Sequence, residues 1–221
     1  MLTKRTIKLG GYDTAAHGWT LAGLEFPEPQ PVTNFVDVPG RIKGPLDLSR
    51  ALTDWPVYGS RDLRVTLEIS TGDREQREAI IAELINQTHG QRKEFVLPDR
   101  PNHYGVGLLT VTKLYNDHAH GAVEITGVCE PWLYEDAETV TVLRATPTAQ
   151  TARIYNQGTM PVVPVLTVTE LSLMLTYNGS SLSLGVGNYE WPHLFLTPGE
   201  HEVTYIGDGT LRISYREAVL R

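Results

Sequence analysis

The sequence predicts a mainly β chain in two parts: an N-terminal β-sandwich-like domain with one α-helix and a β-hairpin arm, then a C-terminal β-sandwich. Three observations carry this. Leu63, Val65, Leu67 and Ile69 alternate strictly with Asp62, Arg64, Thr66 and Glu68, the period of a strand with one buried face. One stretch, Asp73 to Gly90, has helical periodicity with both a start and a stop signal. Beyond Asp136, eight short strand signals follow one another without a helix. A boundary near Asp136 gives domains at residues 1–136 and 137–221.

Taken in order, Thr6 to Leu9 and Trp19 to Leu21 read as short strands at sheet edges or arms, separated by the Gly10-Gly11 break. Phe26 to Pro31 places prolines at alternate positions, which favours an extended segment without a full ladder of hydrogen bonds. Phe35 to Ser49 reads as an out-and-back ribbon. Val36 and Val38 alternate with Asp37, Pro39-Gly40 and Gly44-Pro45 supply turns, and Leu46 and Leu48 alternate with Asp47 and Ser49, so one face of the ribbon is apolar and half-buried.

In the helix, Asp73 is the N-cap, Gln76 completes a capping box, and His89-Gly90 ends it. Ile80, Ile81, Leu84, Ile85 and Thr88 form its inward stripe. Phe95 to Leu97, Leu108 to Tyr115 and Ala122 to Cys129 follow as strands, the last two joined by a polar six-residue tip, Asn116 to Gly121. In the second domain, Asn178-Gly179 is a strong hairpin turn, because both central residues of the favoured turn need positive φ.

Composition excludes several classes. The 221 residues, 41% hydrophobic, suffice for a real core. No run of about 18 apolar residues could span a membrane, and Lys4, Arg5 and Lys8 interrupt the apolar run a signal peptide needs, so the expectation is cytoplasmic synthesis without membrane insertion. With 19 basic against 26 acidic residues and a net charge of −7, tight nucleic-acid binding is disfavoured. The single cysteine, Cys129, reads as a small buried apolar side chain.

Enzymatic chemistry finds no foothold. Of the seven histidines only His118 and His120 lie close together, without a third ligand, so no metal site is expected. No serine sits in a nucleophile elbow, no phosphate-binding loop is present, and the acidic pairs Glu135-Asp136 and Glu200/Glu202 lie at strand ends where solvated charges are normal. No catalytic residue and no cofactor is therefore assigned. Tyr189 and Trp191, spaced by two, face one side of the second domain and either fill its core or stack a sugar ring.

The string Val36-Asp37-Val38-Pro39-Gly40-Arg41, with Leu46-Asp47-Leu48-Ser49-Arg50-Ala51-Leu52-Thr53, resembles the N-terminal domain of distal tail proteins of long-tailed bacteriophages. Tyr58-Gly59-Ser60-Arg61, Pro131-Trp132-Leu133-Tyr134, Asn156-Gln157-Gly158-Thr159 and Arg212-Ile213-Ser214-Tyr215-Arg216-Glu217 fall in that family's order. The resemblance implies a non-enzymatic virion protein at the tail tip, a homohexameric ring of N-terminal domains, and a galectin-like jelly roll at the C-terminus. It implies as partners the tail tube protein, a tail-associated tip protein and receptor-binding or baseplate proteins, with DNA sliding through a net-acidic lumen. It also makes Asp37, Arg41, Lys43 and Leu46 candidate subunit-interface residues. The alternative is a carbohydrate-binding module for a host cell-wall sugar, using Tyr189 and Trp191.

Overall fold

The computed structural model describes residues 6–40, 43–51, 53 and 55–221. The chain is mainly β and divides into two compact units, Met1–Leu133 with Leu220–Arg221, and Tyr134–Val219.

The first unit holds β1 (Lys8–Leu9), β2 (Tyr12–Asp13), β3 (Trp19–Glu25), β4 (Phe35–Val36), β5 (Leu46–Asp47), β6 (Arg61–Ile69), α1 (Arg74–Thr88), β7 (Gln91–Val96), β8 (His103–Asn116) and β9 (Gly121–Cys129). Seven of these strands form one antiparallel sheet in the order β2-β1-β7-β8-β9-β6-β3. Its two ends, β2 and β3, are joined by a short loop and meet in space: the Trp19 indole N–H donates to the Tyr12 hydroxyl at 3.0 Å, and Trp19 N–H donates to the Thr14 carbonyl at 3.0 Å. The sheet therefore curls on itself around one core to which all seven strands contribute, Leu9, Trp19, Leu67, Phe95, Leu109 and Ile125 among them.

In β6 the alternation of Leu63, Val65, Leu67 and Ile69 with Asp62, Arg64, Thr66 and Glu68 is the alternation of core and outer face. The helix begins at the predicted cap: the Asp73 carboxylate accepts from Gln76 N–H at 2.8 Å, and the Gln76 side chain accepts from Asp73 N–H at 3.2 Å. It ends at His89 and Gly90, whose φ of 71° is the left-handed conformation that favours glycine. Its buried residues are Arg77, Ile81, Leu84 and Thr88, with Ile80 and Ile85 half-buried at the flanks. The predicted stripe thus gains an arginine. Strands β7 and β8 run longer than the sequence suggests, so the tip before β9 is the four residues Asp117 to His120.

The second unit is a two-sheet sandwich. β11 (Thr139–Arg144), β18 (Thr210–Tyr215), β13 (Val165–Glu170) and β16 (Gly187–Glu190) form one sheet in that order; β12 (Gln150–Asn156), β17 (Gly199–Gly207), β14 (Leu173–Tyr177) and β15 (Ser180–Leu184) form the other. Inward residues of both sheets, Leu166, Leu211 and Ile213 from one and Ile154, Leu175 and Val203 from the other, share one core. Asn178 and Gly179 take positive φ, 47° and 79°, in the tight turn between β14 and β15. Outside these strands, Val162 and Leu196 form a single isolated bridge. β10 (Leu133–Glu135) pairs with β19 (Ala218–Val219).

Candidate interaction surface

Between β3 and β6 the chain leaves the sheet and returns, and sequence chemistry sets the base of this arm. The alternating prolines keep residues 26–31 extended. Val32 N–H then donates to the Val57 carbonyl at 2.8 Å and Gly59 N–H to the Gln30 carbonyl at 2.9 Å, around a bridge from Pro31 to Tyr58. The Tyr58 ring meets Trp132 edge-on, with centroids 5.4 Å apart.

Farther out, Leu48 N–H donates to the Asn34 carbonyl at 2.7 Å, and β4 pairs with β5 through Phe35 to Asp47 and Val36 to Leu46. The Ser49 hydroxyl and amide together hold the Asp47 carboxyl below its usual range. Gly40 and Gly44, at the two predicted turns, have φ of 82° and 78°.

The ribbon exists as the sequence suggests, but its apolar face is not half-buried. Phe35 is 60% exposed, Val36 41% and Val38 44%. The reason is architectural: β4 and β5 form a two-stranded sheet of their own, and among the described residues no other strand or helix packs closely against it. An isolated two-stranded ribbon is at best marginally stable in water, so such a face stands ready for cover.

Of the residues assigned to an interface, Asp37, Lys43 and Leu46 all lie on this arm and are exposed, while Arg41 falls outside the described residues. Tyr189 and Trp191 belong to the second core: Trp191 is buried and Tyr189 half-buried against it. Part of the Tyr189 side chain remains exposed. Of the other aromatics in that domain, Tyr177 is buried and Phe195 is exposed.

Two buried arginines escaped the sequence reading. The Arg61 guanidinium lies 3.5 Å above the centre of the Phe26 ring and donates to three carbonyls, Leu220 at 2.8 Å, Phe26 at 3.1 Å and Pro131 at 3.3 Å. Burial lowers its pKa. Arg77 donates to the carbonyls of Gly72 at 2.6 Å, Asp117 at 2.8 Å and His118 at 3.1 Å, pinning the tip between β8 and β9. A signal for each was present. Arg61 has the parity of Leu63 to Ile69 in an alternating strand, and Arg77 stands four residues before Ile81 and seven before Leu84.

Cys129 is buried, and burial pushes its thiol up to about 12. Among the described residues no three His, Cys, Asp or Glu side chains converge to hold a metal ion.

No protein-family profile and no curated protein sequence matches the chain. Among solved structures it is similar to the crystal structure of the SPP1 Dit protein, described there as a paradigm of the hub adsorption apparatus in phages that infect Gram-positive bacteria. The likeness covers 97% of this chain and 99% of that one, with a TM-score of 0.69 and 13% sequence identity. The chain therefore has the fold of that hub protein over the length of both of its units.

Proposed function

We propose that the chain is a structural, non-catalytic subunit of a bacteriophage or prophage tail tip. It is made in the bacterial host cytoplasm and carried at the tip of the virion tail, where six copies close a ring between the tail tube and the host-recognition baseplate or tip complex. Residues 1–136 form the ring, and the C-terminal sandwich, galectin-like in this reading, is a platform for tip and receptor-binding proteins. DNA passes through the lumen without tight binding, in keeping with the net charge of −7.

The observation that carries this reading is the shared fold with a phage adsorption-apparatus hub protein across 97% of the chain. The arm adds a physical reason for self-assembly. An uncovered ribbon bearing Phe35, Val36 and Val38 gains stability when a neighbouring subunit covers it, at roughly 25 cal/mol for each Å² of apolar surface removed from water. Negative-stain electron microscopy of the purified full chain tests the reading. Rings with a central channel are expected, whereas a field of single compact particles across a concentration series would contradict it.

A further inference from the structure

In the second unit the sheet β12-β17-β14-β15 turns one face to the core and the other outward. Residues directly opposite on antiparallel strands share a face, so the register puts Tyr155 beside Glu200, Arg153 beside Glu202 and Thr151 beside Thr204 on the outer one. Thr176 of β14 lies opposite Thr204 on one side and Ser181 of β15 on the other, its hydroxyl hydrogen-bonded to that of Ser181 at 2.8 Å. Across these rows the outer face is polar. Its one aromatic ring there is Tyr155, on the edge strand β12 and 48% exposed.

Charged neighbours hold that ring in place. The Tyr155 hydroxyl donates to Glu200 Oε2 at 2.5 Å, and Arg153 Nε pairs with Glu200 Oε1 at 3.0 Å. Both oxygens of Glu200 are thus engaged. Arg153 is drawn away from the residue directly opposite it, which leaves Glu202 exposed and in no ion pair among the described residues. An oriented aromatic face therefore stands beside an accepting carboxylate, a guanidinium and a row of hydroxyls.

We infer that this outer face, centred on Tyr155, binds an uncharged saccharide. The ring covers the apolar C–H face of a pyranose, Glu202 and Arg153 take its hydroxyls, and Glu200 positions the ring and the guanidinium. Charge narrows the class: one arginine against Glu200 and Glu202 leaves the patch net negative, which disfavours phosphate or uronate polymers. The inference adds a binding function to the structural one and does not depend on the ring. It also lies on the opposite sheet from Tyr189, whose strand β16 belongs to the β11-β18-β13-β16 layer.

An array of neutral and acidic bacterial saccharides, probed with the labelled full chain, tests this, with calorimetric titration of the strongest neutral binder to follow. Neutral saccharides should bind. Tyr155→Ala and Glu202→Gln should each lose at least tenfold in affinity at an unchanged melting temperature, because both side chains are exposed. Val186→Ala, at the 65% exposed tip between β15 and β16, should bind as wild type does. Binding to acidic saccharides alone, binding to none, or full affinity in either Tyr155→Ala or Glu202→Gln would overturn the inference. In each of those cases the ring reading stands, since it is tested by assembly.

Discussion

Arg61 donates to the backbone carbonyl of Leu220 at 2.8 Å, across 159 positions of sequence. The same guanidinium reaches Phe26 and Pro131, so one buried cation ties the start of the arm segment, the end of the β9 region and the last residues of the chain. Arg221 adds an ion pair to Glu28 at 2.8 Å beside it.

Replacing Arg61 by Met leaves three carbonyls without their charged donor. Bonds to charged groups are worth about 1.5–3 kcal/mol each, and partial rehydration offsets part of the loss, so a net destabilisation of about 3 kcal/mol is expected in urea denaturation. Arg61→Lys should recover less than half, because an ammonium cannot fork to three acceptors. Carboxypeptidase should also remove Arg221 faster from Arg61→Met than from wild type.

Arg77 plays the corresponding part at the other end of β9. Arg77→Met keeps most of the buried stem and removes the donors to Gly72, Asp117 and His118. A loss of about 2 kcal/mol is expected, with faster hydrogen exchange at Ala119 and His120, whose amides donate to the Asp117 carboxylate within the tip.

Glu217 is a buried carboxyl whose pKa is raised above the ordinary 4.5, chiefly by burial, with a smaller push from nearby Glu135 and a partly opposing hydrogen bond from the Gln157 backbone. A carboxyl raised in the folded state binds its proton more tightly there than in the unfolded chain. Its contribution to stability is fully present below about pH 4.5 and is lost as pH rises through the folded value. Glu217→Gln should therefore be more stable than wild type at pH 7, and the difference should shrink towards zero as pH falls below 4. Thermal melts across that range check the sign.

Cys129, buried and with its thiol pushed up to about 12, should react with a thiol reagent at neutral pH at least a hundredfold more slowly in the native chain than in the denatured one. Native labelling as fast as in denaturant would contradict the burial.

Much of the fold is legible in the sequence where one signal dominates. The β6 alternation, the Asp73–Gln76 box and the Asn178-Gly179 turn are local rules obeyed locally, and each is found where those residues place it. Strand limits are less legible, because β7 and β8 extend by pairing with each other rather than by their own composition; Gln91, Arg92 and Lys93 make a poor strand until Leu109, Leu108 and Gly107 lie opposite. The two buried arginines were masked by residue type: arginine is rarely buried, and only the carbonyls brought together by the tertiary fold make those positions tolerable. The arm is the reverse case. Its alternation marks an apolar face correctly, but periodicity cannot tell a face covered within the chain from one left exposed.

Self-assembly into a ring is the central claim, and the solution mass of the purified full chain tests it most directly. Light scattering on a gel-filtration column at two concentrations should return a mass near six chains at the higher one. A single-chain mass at both concentrations would contradict it.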